Sequence, residues 1–162
     1  MVGPLLWLSG CSQQSDAPEA AVWPLLKSCE LRTSACTAQA PADFSLDPNT
    51  QNKAPPQASV TLSINPRPIQ VARSLEAKVQ LHGFDQTNIH TIEIDVAGIN
   101  MYMGYNRVTL EPESPGHYTG PLMLAFCTND KMQWQVTVMV TRKNGQQIQI
   151  PFQLIIYNQQ SN

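Results

Sequence analysis

Charge is scarce in this chain: ten Lys and Arg stand against twelve Asp and Glu, 14% of 162 residues, for a net charge of −2. No basic run exists to meet a phosphate backbone, so nucleic acid is excluded as a partner. Long apolar runs are lacking too. Nowhere do about 18 consecutive apolar residues occur, which removes a membrane-spanning helix. Histidine is limited to three residues, and no Ser-His-Asp arrangement, nucleophile elbow or pair of catalytic carboxylates can be assembled around them. Glu93 and Asp95 share the outward face of one strand, the ordinary place for solvated charge. A binding or scaffolding role is therefore expected rather than an enzyme. With 42% hydrophobic residues, this length suits one domain with appendages.

What is present begins with "LLWLSGC". Leu8-Ser9-Gly10-Cys11 resembles the lipobox of bacterial lipoproteins. The resemblance implies that Cys11 becomes the amino terminus of the processed chain and carries a diacylglycerol, placing the protein in the periplasm or cell envelope on a lipid anchor. Residues 1–10 contain no Lys or Arg, so they read as a truncated signal peptide. Residues 11–57 are rich in Pro, Ala, Ser and Gln and lack apolar periodicity, and they read as a flexible tether. Within it, Cys29 and Cys36 are close enough in sequence to close a small loop in an oxidising compartment, and a disulfide is expected there.

From residue 58 to 158 the pattern changes to period-two alternation. Candidate strands are "SVTLSIN" (Val60, Leu62, Ile64 on one face), "SLEAKVQL" (Leu75, Ala77, Val79, Leu81), "IHTIEIDV" (Ile92, Ile94, Val96) and a short "NRVTL". They are followed by "HYTGPLMLAF" (Tyr118, Leu122, Leu124, Phe126), "QWQVTVMVT" (Trp134, Val136, Val138, Val140) and "QIQIPFQLII" (Ile148 to Ile156). Seven strands in about a hundred residues have the cadence of an immunoglobulin-like antiparallel β-sandwich. Asn144-Gly145 predicts a two-residue type I′ hairpin between the last two. "PGHYTG" resembles a tyrosine corner, in which the Tyr118 hydroxyl bonds to the backbone; a solvent-facing Tyr118 after a glycine turn is the alternative.

Strand direction places the sulfur residues. Met101 and Met103 follow the third strand, and Cys127 and Met132 follow the fifth. Pairing Phe126 with Trp134 and Leu124 with Val136 keeps apolar faces together and leaves Cys127 and Met132 in the loop, off the core. Four sulfurs then share one end, while His82, His90 and His117 lie at the other. Thioether and thiol donors without imidazole select Cu(I) over zinc or calcium. Two readings of the methionines stand: soft ligands, or gap-filling side chains packed on Trp134 or Tyr105. Met123 and Met139 fall at outward strand positions. Cys127 is the thiol left over if Cys29 and Cys36 pair, and pairing of Cys127 with either of them is the alternative.

The combination of "MYMG", "PGHYTG" and "MQWQVTV" over residues 59–142 resembles the FixH/YtkA-like domains, and is similar to periplasmic lipoproteins associated with Sco-type copper chaperones. The resemblance implies an accessory to copper handling or respiratory oxidase assembly, with Met101, Met103, Cys127 and Met132 as metal-binding positions. A Sco-type chaperone or an oxidase subunit would be the partner. The other class of function is a metal-free interaction module, for which Tyr102 and Tyr105 would supply contact area.

Overall fold

A computed structural model describes residues 20–46, 58–104 and 106–157. Cys11 and Tyr105 lie outside the described residues. Ten strands form two five-stranded sheets: β1 (Ala21–Val22), β2 (Cys36–Gln39), β3 (Ser59–Asn65), β4 (Leu75–His82), β5 (Ile89–Gly98), β6 (Arg107–Thr109), β7 (Glu111–Ser114), β8 (His117–Leu122), β9 (Lys131–Arg142) and β10 (Gln147–Tyr157). One sheet runs β1-β10-β9-β5-β6 and the other β2-β3-β4-β8-β7. The chain crosses between sheets after β1, β4, β6 and β8. Apart from β1, which joins β10 in parallel, the pairs are antiparallel, giving an all-β sandwich with immunoglobulin-like connectivity.

The alternation predicted for β3, β4, β5 and β10 is the burial pattern found: Val60, Leu62, Ile64, Val79, Ile94, Val136 and Ile150 all face the core. Because the side-chain period is two, each such strand has one register that buries its apolar set. Met139, expected outward, is only 3% exposed; on the central strand β9 it is flanked by Glu93 and Gln149, whose long side chains stand on either side.

Four further expectations are corrected. Trp134 does not pair with Phe126: the chain changes sheets between β8 and β9, so Leu122 pairs with Leu75, while Trp134 faces Leu154 and Gly98. Strand β8 ends at Leu122, and Phe126 is exposed. The β9–β10 connection is not a two-residue type I′ turn. Gly145 has φ +86° whereas Asn144 is not in the positive-φ region, and hydrogen bonds from Gly145 N to Arg142 O (2.9 Å) and from Arg142 N to Gln146 O (2.8 Å) define a three-residue loop closed by a glycine bulge. Tyr118 is not a corner bonded to backbone: its hydroxyl donates to Gln86 Oε1 at 3.0 Å, while the nearby Gly116, at φ +78°, accepts from Leu81 N.

The segment expected to be a flexible tether differs most over residues 20–46. There β1 and β2 extend the two sheets, and Trp23 and Leu31 are fully buried. Trp23 meets Phe44 edge-on at 5.2 Å and stacks near Phe84 at 6.5 Å. Three apolar anchors spaced far apart carry no periodicity, so the sequence pattern does not show them. The expected Cys29–Cys36 disulfide is formed, with Cys36 in β2. Its loop lies along β10, where Leu31 N donates to Gln153 O and the Glu30 carboxylate accepts from Ile155 N at 2.7 Å, covering part of an otherwise open strand edge.

Candidate functional site: a sulfur-rich end of the sandwich

Three connections meet at one end of the molecule: residues 66–74 between β3 and β4, 99–106 between β5 and β6, and 123–130 between β8 and β9. The Leu75–Leu122 pair sets the first and third side by side, and Ala72 N donates to Leu124 O at 2.8 Å. Asn106 Nδ2 joins the second to the third by donating to Met123 O at 2.9 Å. His82, His90 and His117 sit at the end of β4 and the starts of β5 and β8, at the opposite end.

The loop carrying Met101 and Met103 is held to β9 by Asn100, whose Nδ2 donates to Lys131 O (2.9 Å) while its Oδ1 accepts from Gln133 N (3.0 Å). Ile99 N donates to Gln133 O, extending the ladder one step past Gly98. The chain then doubles back over Gly98. A Cβ on that glycine would collide with the Met101 carbonyl oxygen and stand 2.8 Å from Met132 Cε and 3.1 Å from Met103 Cγ. Two thioether side chains therefore converge above a position that only glycine fits. Close by, Cys127 Sγ lies 3.8 Å from Met101 Sδ, within reach of an S–H···S hydrogen bond.

All four predicted sulfurs are thus at one end, though not on an open rim. Met101 is exposed and Met103 half-buried, whereas Cys127 (9% exposed) and Met132 (2%) are buried. Met132 belongs to β9 itself, on the inward face it shares with Trp134, which corrects its placement in the loop. Cys127 is in the loop and is a free thiol, so neither alternative disulfide forms. Among the described residues no group of three or more His, Cys, Asp or Glu side chains is placed to hold a metal ion.

Around the sulfurs lies an apolar surface. Tyr102 is 87% exposed and Phe126 63%, with Ile99 and Met123 also exposed. Behind Cys127 and Met132 opens a cleft of about 670 Å³, walled by residues 68–73, by Phe126 and Asn129, and by Ile156, Tyr157 and Arg32. No single stretch of sequence marks this cleft, because its walls come from parts of the chain more than a hundred residues apart. Arg32 stacks over the Tyr157 ring at 4.9 Å and pairs with Glu30 at 3.4 Å, and Lys131 Nζ lies 5.9 Å from the same ring. Comparison with protein-family models and with curated proteins finds no match to this chain.

Proposed function

We propose that the sulfur end of the sandwich binds Cu(I), in a lipid-anchored extracytoplasmic protein that assists copper handling or respiratory oxidase assembly. The observation that carries this reading is the joint placement of Cys127 Sγ 3.8 Å from Met101 Sδ and of the Met103 and Met132 side chains meeting over Gly98. Metal–thiolate bonds of about 2.3 Å at trigonal or tetrahedral angles separate sulfur ligands by roughly 3.8–4.0 Å. The Cys127–Met101 pair therefore needs little rearrangement to hold one soft ion. One thiol with thioethers, and no imidazole or carboxylate among them, is a donor set for Cu(I) rather than Zn²⁺ or Ca²⁺. Binding would displace the Cys127 proton, and the metal's charge stabilises the thiolate.

The Cys29–Cys36 disulfide supports an oxidising compartment, in keeping with Cys11 as the anchor. A Sco-type chaperone or an oxidase subunit is the partner class this reading implies. A second reading, a metal-free interaction module of the envelope, draws on the exposed Tyr102, Ile99, Met123 and Phe126, with Tyr105 beside them in sequence. Titration of the chain with Cu(I) against a competing chelator separates the two. Stoichiometric binding lost in Cys127→Ser, and weakened in the double variant Met101→Leu, Met103→Leu, is the result expected. Equal behaviour of wild type and both variants would leave the interaction reading.

A further inference from the structure

We infer that the cleft behind Cys127 binds a small organosulfur compound bearing carboxylates, a ligand able to bring Cu(I) to the sulfur end. The inference rests on the copper reading for its metal step only; recognition of the carboxylates stands on the cleft itself. At about 670 Å³ the cleft has the volume of a small-molecule site, and its walls are mostly apolar. Its charged lining has a single sign: Arg32 and Arg73 face it, and no Asp or Glu is among its lining residues. Lys131 adds a third cation nearby, against the Tyr157 ring. Guanidinium groups meet carboxylates in paired hydrogen bonds, so an anionic ligand is the one these walls favour.

The two arginines are not equivalent. Arg32 is already engaged by Glu30 and held against the face of Tyr157, which leaves Arg73 as the stronger contributor. Cys127 and Met132 supply the inner sulfurs of the same cleft. A thiol ligand held by its carboxylates at the arginines can thus present sulfur toward these two residues. When Cu(I) is shared, the ligand's thiol releases its proton to solvent and its sulfur joins those of the protein.

S-methylglutathione tests recognition without copper, because its blocked sulfur can neither exchange with the Cys29–Cys36 disulfide nor oxidise Cys127. Titrated into the copper-free chain and followed by amide NMR, it is expected to shift Val71, Ala72 and Asn129 saturably in the millimolar range or below. Arg73→Gln should weaken binding roughly tenfold, the worth of one charge-assisted contact, and the dimethyl ester should bind more weakly still. Absence of saturation, or equal binding by Arg73→Gln and wild type, overturns the inference. Saturable, Arg73-dependent binding by a chain that fails to take up Cu(I) supports the carboxylate site and overturns the copper reading alone.

Discussion

Gly98 shows how one residue sets the geometry of this end. It closes β5, pairs with Trp134 and lies beneath the returning Met101 carbonyl and the Met103 and Met132 side chains. The methionine chains could give way to a methyl group at Gly98, but the carbonyl belongs to backbone and could not do so without moving the loop. Gly98→Ala is therefore expected to destabilise the protein by about 1–3 kcal/mol, the usual cost of overpacking, measured by urea unfolding. It should also weaken Cu(I) binding, since the shifted loop carries Met101 away from Cys127. At this scale the sequence was partly legible. It picked out the four sulfur residues because strand direction alone assigns loops to ends. It misjudged their burial, because whether Met132 lies in a loop or a strand depends on where β9 begins.

At the scale of the element, the β5–β6 connection is ordered by a single side chain. Asn100 bonds both Lys131 O and Gln133 N, continuing the β5–β9 pairing beyond the last strand residue. Asn100→Ala removes both bonds and should cost about 1–2 kcal/mol. Amide exchange should speed up at Ile99 and Met103 while the amides of Ile94 and Val138 in the core keep their protection; unchanged exchange in the loop would show that Asn100 does not hold it. Strands with alternating apolar residues were readable at this scale. The strand β7, Glu-Pro-Glu-Ser and exposed throughout, was not, because it buries nothing and owes its conformation to pairing with β8. The hairpin at Asn144-Gly145 was recognised as a turn, but loop length follows from the pairing of Thr141 with Gln147, which no dipeptide encodes.

For the whole molecule, the main consequence is that residues 20–46 belong to the sandwich. Trp23 and Leu31 fill the core, and the disulfide loop lies along the β10 edge. Trp23→Ala, which leaves a large hole between Phe44 and Phe84, is expected to cost about 3–5 kcal/mol. A chain beginning at residue 58 should melt at a lower temperature than one beginning at residue 20, by calorimetry; equal melting would mean that the early segment adds no stability.

The amino-acid sequence by itself determined the all-β class, the inward faces of β3, β4, β5 and β10, the Cys29–Cys36 disulfide and the gathering of four sulfurs at one end. These follow from local rules: the two-residue period of a strand, the nearness of two thiols in the chain, and the reversal of direction at each turn. Only the tertiary structure decided that β8 and β9 lie in different sheets, that Trp23 belongs to the core, and that Arg32, Arg73 and Tyr157 enclose a cleft beside Cys127. Each of these depends on which segments pack against one another across long separations, a choice made by the burial of the whole apolar surface rather than by any stretch of the chain.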